Sequence, residues 1–243
     1  MKLVALTAAF VTWAALIDRA WGEAPSLPAS PPLDSMAHRV TVCTPCHGKE
    51  GRATNDGYYP RIAGKPAGYL YNQLINFREG RRHNAMMTYL TQFQRPEYLQ
   101  EISEFFASQE LPYPAPQPAT VDSSVLDRGR GLAAQGDPQQ DIPACSSCHG
   151  TRLLGVAPAV PGLLGLSRDY LAAQLGAWRG GTRRAQPPDC MAEIVSRMSV
   201  ADLTAVTAWL AAQPLPPDAA PEQSFERRPP LECGSIPTAQ RTP

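Results

Sequence analysis

The sequence predicts an all-α protein made of two copies of one helical domain, and three observations carry that prediction. A short element, "CTPCHG" at 43–48, returns as "CSSCHG" at 145–150. The residues around the two elements match at a nearly constant offset. The matched stretches place apolar residues at helical period, and neither half alternates as strands would.

His47 and His149 differ by 102 positions. Beyond them Tyr69, Leu70, Gln73, Leu74, Phe77 and Arg78 correspond to Tyr170, Leu171, Gln174, Leu175, Trp178 and Arg179 at an offset of 101, which Pro60 and Pro161, and Gly64 and Gly165, also keep. Leu99, Ile102, Phe105 and Phe106 correspond to Leu203, Val206, Trp209 and Leu210 at 104. So small a drift along the chain marks a duplicated domain with short loop insertions.

Within each copy two helices follow from the pattern. Leu70, Leu74 and Phe77, and their counterparts Leu171, Leu175 and Trp178, fall at i, i+4 and i+7 and give each copy one apolar stripe. Leu99, Ile102 and Phe106 make the second stripe, with Pro96 and Glu97 in its first turn; in the other copy Ser199 is a natural N-cap, with Asp202 three residues on. Between the copies Pro112, Pro114, Pro116 and Pro118 hold the chain extended. The expected division is a leader at 1–22, a first domain at 23–110, a proline-rich linker at 111–124, a second domain at 125–213 and a proline-rich tail at 214–243.

The leader has Lys2, an apolar run from Leu3 to Ile17 that is short for a bilayer, and small residues at Ala20 and Gly22. It reads as a secretory signal peptide cut after Gly22, with a retained membrane anchor as the alternative. Export places the six cysteines in an oxidising compartment. The 22 basic and 22 acidic residues give no electrostatic footprint for a nucleic acid or an anionic membrane surface.

Cys43 and Cys46 with His47, and Cys145 and Cys148 with His149, form two C-x-x-C-H elements. That spacing lets both thiols add to the vinyl groups of one haem while the adjacent imidazole reaches the iron, so each element reads as a c-type haem attachment site, two haem c in all. Two zinc half-sites, or a dithiol redox motif, are the competing readings. A zinc pair leaves the adjacent histidine a coincidence twice, and a thioredoxin-like motif wants a βαβ context that is absent.

With porphyrin and histidine in place the iron has a sixth position, and only His38 and His83 remain, both in the first half. Methionine is the natural alternative. Met87 and Met191 are related by 104, the offset of the helix that follows, so they are the expected axial ligands; Met86 and Met198 are expected to pack, and His83 to be solvated or at a haem edge. Arg78, Arg81, Arg82, Arg179, Arg183 and Arg184 are either partners for haem carboxylates or a solvated basic loop.

These residues resemble the dihaem cytochromes c4 and related class I cytochromes c. The resemblance runs from about Asp34 to Gln213 and rests on the two CxxCHG elements, on "YPRIAGKPAGYLYNQLINFREGRR", on "GRGLAAQGDPQQDIPACSSCHG" and on "VPGLLGLSRDYLAAQLGAWRGGTRR". It implies two cytochrome c folds about a pseudo-twofold axis, each with His/Met-ligated iron, passing single electrons in the periplasm. It also implies that the carbonyls of Pro60 and Pro161 accept the ring N–H of His47 and His149.

Two features depart from that pattern: Cys190 directly before Met191, and a long tail carrying Cys233. A Cys190–Cys233 disulfide pinning the tail beside the second haem is expected; Cys190 as an iron ligand and two free thiols are the alternatives. The expected function is a single-electron carrier between redox protein donors and acceptors, a dehydrogenase or terminal oxidase among them, with membrane association not required. The competing functions are a dihaem enzyme acting on thiosulfate or peroxide and a cytochrome subunit of a membrane oxidoreductase.

Overall fold

The structure is a computed structural model that describes residues 31–54 and 56–237, so the expected leader at 1–22 lies outside the described residues. Five helices of the first repeat are α1 (Met36–Arg39), α2 (Thr44–His47), α3 (Ala67–Arg78), α4 (Ala85–Thr91) and α5 (Pro96–Ala107). Five of the second are α6 (Ser123–Ala134), α7 (Ser146–His149), α8 (Arg168–Arg179), α9 (Cys190–Arg197) and α10 (Val200–Ala211). α6 begins inside the stretch expected to be linker. A two-stranded antiparallel ladder, β1 (Gly155–Val156) with β2 (Val160–Pro161), pairs Val156 with Val160. Strands of two residues are too short to show an alternation, so no pattern of residues announces them.

Each domain packs its long helices around the apolar stripes. In the first, α3 packs on α5, and Leu70, Phe106 and Val40 are buried together. In the second, α10 packs on α6 and α8 over a larger core that includes Leu132, Leu171, Val206 and Leu210. The close crossing of α6 and α10 requires Gly129, where a Cβ would stand 2.2 Å from the carbonyl oxygen of Ala205. Met198 is buried in that core, as expected.

The helix caps differ. Ser199 and Asp202 form a reciprocal capping box at α10, whereas α5 starts at Pro96 with no side-chain cap. Burial pushes the Asp202 carboxyl up, but hydrogen bonds from Ser199 and Arg128 outweigh it and hold it below its ordinary value.

The two domains meet through residues that the repeat relates. Arg82 Nη1 donates to Gln73 Oε1 in its own domain (3.0 Å) and its Nη2 to Gln174 Oε1 of the other (2.6 Å). Arg183 does the reverse, donating to Gln174 Oε1 (2.8 Å) and to Gln73 Oε1 (3.0 Å). Arg82 lies over the Phe77 ring and Arg183 over the Trp178 ring, at 4.5 and 3.7 Å. The backbones of Arg82 and Arg183 pair antiparallel at the same place. Reciprocal bonds between equivalent residues are the signature of a local twofold relation.

The linker is pinned rather than free. Arg61 donates to the carbonyls of Leu111 (2.5 Å) and Pro112 (2.9 Å) and lies 4.1 Å over the Tyr113 ring, while the Gln117 N–H donates to Ala211 O (2.9 Å).

Candidate functional site

Each C-x-x-C-H element ends in a one-turn helix, and that turn decides where its side chains go. α2 and α7 carry the second cysteine and the histidine, and Gly48 and Gly150 follow at positive φ (74° and 85°), turning the chain away at once. A Cβ at Gly48 would stand 2.3 Å from the Ala53 carbonyl oxygen, so the turn requires glycine.

The imidazoles are oriented by the loops that follow. His47 Nδ1 is 3.0 Å from Pro60 O, and His149 Nδ1 is 2.8 Å from Pro161 O. A carbonyl can only accept, so Nδ1 carries the proton and Nε2 keeps its lone pair. Burial lowers the pKa of both rings against the raising effect of those carbonyls, with Arg82 adding to the lowering at His47 and Lys65 at His149. Each ring is thereby held neutral, the form that can donate to a metal.

One cavity of about 690 Å³ takes in residues of both domains. The four C-x-x-C-H cysteines, both histidines, Met87 and Met191 line it. Its wall is otherwise largely apolar, including Leu70, Phe77, Leu171 and Trp178.

Burial raises the thiols of Cys43, Cys145 and Cys148 to about 11, for Cys43 with help from Cys46. A raised thiol pKa disfavours the thiolate form that a zinc site would need. Among the described residues no group of three His, Cys, Asp or Glu side chains converges as a metal-ion site, so the two elements do not combine as zinc half-sites would.

Besides Arg39, which pairs with Glu101 (3.9 Å), four cations face the same cavity. Arg61, Lys65 and Arg183 are 3%, 4% and 5% exposed and Arg82 is half-buried, and among the described residues none of them meets a carboxylate. Burial, with Arg61 close by, lowers Lys65 to about 7; its Nζ donates to Gly162 O (3.0 Å) of the other domain. Arg61 Nε is buried with no hydrogen-bond partner. Burying cations without an anion is costly, so this cavity suits a ligand that is apolar over most of its surface and acidic at one edge. A haem with its two carboxylates has that character.

The expected arginines divide. Arg82 and Arg183 reach the cavity from the domain interface. Arg78 and Arg179 instead donate to the carbonyls of Gln94 (3.2 Å) and Met198 (3.1 Å), equivalent bonds that fix those two residues as counterparts at 104. Arg81 pairs with Glu79 and Asn76, and Arg184 is exposed. Sequence reasoning missed Arg61 and Lys65. Their one signal was position, one and five residues after Pro60, where the second repeat has Gly162 and Leu166.

Met87 and Met191 lie in the first turns of α4 and α9, both half-buried. Met86, expected to pack, is 57% exposed because among the described residues nothing is laid over the outer face of α4. Cys190 and Cys233 are joined in a disulfide, which removes the thiolate that an iron–Cys190 bond would need.

Comparison with known proteins adds to this geometry. No family model matches the chain. It is 36% identical over 197 residues to the thiosulfate dehydrogenase electron acceptor of Thiomonas intermedia, covering 81% of this chain and 87% of that protein. The chain belongs to the dihaem cytochrome c4 family. Reduced cytochrome c4 of Pseudomonas stutzeri superposes with a TM-score of 0.61 at 26% identity, over 72% of this chain and 94% of that one. The thiosulfate dehydrogenase TsdBA of Marichromatium purpuratum superposes with a TM-score of 0.63 at 32% identity, over 71% of this chain. This chain spans only 36% of that larger one. Membership implies covalent haem c and a role in electron transfer, and the tandem all-α architecture expected from the sequence is the family's own.

Proposed function

We propose that the protein is a periplasmic electron carrier holding two haem c groups, one in each of the expected domains 23–110 and 125–213. In this reading Cys43, Cys46, His47 and Met87 would hold the first haem, and Cys145, Cys148, His149 and Met191 the second. The observation that carries it is the pair of C-x-x-C-H turns, each histidine tied to a proline carbonyl, opening into one cavity lined by Met87 and Met191. Haem iron supplies the chemistry by alternating between ferric and ferrous.

The chain's own residues set the conditions for that exchange. The Pro60 and Pro161 carbonyls hold the imidazoles in one tautomer and orientation. Arg61, Lys65, Arg82 and Arg183 face the acidic edges. The apolar walls exclude water, which keeps reorganisation small when the charge changes. Because both C-x-x-C-H turns line one cavity, the two cofactors of this reading would share it, an arrangement that supports an internal relay.

The donor in this reading is a thiosulfate dehydrogenase, the enzyme whose electron acceptor two of the relatives are named. It meets the first domain where Met86, Tyr89 and Phe93 are 57%, 69% and 87% exposed on a stretch, 83–94, with no Asp, Glu, Lys or Arg. Rapid mixing of the oxidised protein with reduced thiosulfate dehydrogenase tests this. Electron uptake should slow by about tenfold in Tyr89→Lys/Phe93→Lys at unchanged potentials, since charge placed in an apolar contact is desolvated at a cost. Equal rates would place the contact elsewhere, and no uptake by the unaltered protein would remove this donor.

A further inference from the structure

The C-terminal segment is tied to the second domain on both sides of the second crevice. On the side that follows His149, Glu222 Oε1 accepts from Thr151 Oγ1 (2.9 Å) and from the Arg152 N–H (3.2 Å). The Glu222 N–H donates to Gly155 O (2.9 Å) and its carbonyl accepts from the Ala157 N–H (2.8 Å), so the tail runs as an extra bridge beside β1. On the side that leads into Met191, Cys233 is bonded to Cys190 and the Gly234 N–H donates to Pro188 O (2.8 Å). Gly234 sits so close to that loop that a Cβ would stand 2.1 Å from Pro187 O. Cys233 and Ile236 are buried with Val156 and Val160, and both line the cavity. Asn72 of the first domain donates to Ser235 O (3.0 Å).

Among the described residues the first domain has nothing comparable over Met87. Its backbone N–H is capped by Asn84 Oδ1 (3.1 Å) and its carbonyl accepts from Thr91 Oγ1 (2.8 Å), both within or next to α4 itself. The position corresponding to Cys190 is the exposed Met86.

A methionine leaves an iron when the loop that carries it opens locally, and the free energy of such openings depends on what must be undone. For Met87 that is part of one short helix. For Met191 it includes the tail, clamped across a loop of 43 residues.

We infer that the segment 222–236 is a strap that positions Met191, so that the second site exchanges its methionine for an outside ligand slowly and the first site exchanges rapidly. This rests on the reading of Met87 and Met191 as ligands. Cys190, Cys233, Gly234 and Glu222 act through Met191 in this inference and are positioning residues.

The test is stopped-flow addition of imidazole to the ferric holoprotein, followed by bleaching of the far-red methionine-to-iron band. The unaltered protein should bleach in two phases of similar amplitude whose rates differ by about tenfold or more, the order expected for a disulfide-closed loop. Met191→Ala should lack the slow phase. Cys190→Ser/Cys233→Ser should speed the slow phase by about tenfold and leave the fast one alone. Gly234→Val, which keeps both cysteines, should act in the same direction and guards against a cysteine variant that does not mature. A single phase in the unaltered protein, or an unchanged slow phase in both strap variants, overturns the strap. A full band in Met191→Ala overturns instead the ligand assignment beneath it.

Discussion

The two domains are copies in sequence but not in construction. The second has a twelve-residue α6 against α10, a capping box at Ser199 and Asp202, and a tail covering its crevice. The first has a four-residue α1, an uncapped α5 and an α4 that shows Met86, Tyr89 and Phe93 to solvent. At the positions corresponding to Tyr89 and Phe93 the second domain has Glu193 and Arg197, joined to each other in an ion pair. Duplication therefore preserved the cofactor-holding turns and the interface, where equivalent residues bind each other, and let the outer faces diverge. Among the described residues one face is left exposed; the other is covered by the chain itself.

The largest expected effect concerns the turns both copies share. Replacing Cys145 and Cys148 with serine should leave a protein carrying one haem, read as the loss of one covalent haem mass under denaturing conditions, and Cys43→Ser/Cys46→Ser should do the same. If either variant kept two, the copies would not be equivalent as attachment sites.

Next comes the shared interface. Arg183→Ala removes a buried guanidinium that serves a glutamine from each domain, and should cost about 2–4 kcal/mol in chemical unfolding, from the two charge-assisted hydrogen bonds lost. Arg82→Ala should cost a similar amount if the pseudo-twofold relation is energetic as well as geometric. A cost in only one of the two would break the symmetry.

The smallest effect sharpens the difference between the domains. Asp202→Asn should cost about 1 kcal/mol at neutral pH by weakening the cap of α10. The folded Asp202 carboxyl is held below 3.8, so above that pH its stabilisation is fully present, and it disappears as pH falls through the folded value. Unfolding of the second domain in the variant and the unaltered protein should therefore converge in acid. A gap that persists in acid would show that the side chain acts by shape rather than charge.

Sequence reasoning reached the parts of this molecule that residue type and spacing specify. The C-x-x-C-H elements, the apolar stripes of α3, α5, α8 and α10, and the Ser199 cap all have local causes. Comparing the repeats added the pairing of Met87 with Met191, and the matched bonds from Arg78 and Arg179 keep the same register. What escaped depends on the rest of the fold. Nothing in "PRIAGK" says that Arg61 and Lys65 are buried, since both residue types are ordinarily exposed. Proline content showed that the tail is not helical, but its docking depends on Glu222 finding β1 and Gly234 finding the Pro187–Pro188 loop. The exposure of Met86 likewise follows from the absence of any element over α4 among the described residues.

Spectroelectrochemical titration of the unaltered protein beside Met87→Ala and Met191→Ala tests most directly that each crevice holds one His/Met-ligated haem. The far-red band of the unaltered protein should account for two irons, and each variant should lose half of it and shift the potential of one haem alone. A variant that keeps the whole band, or a high-spin haem in the unaltered protein, would contradict it.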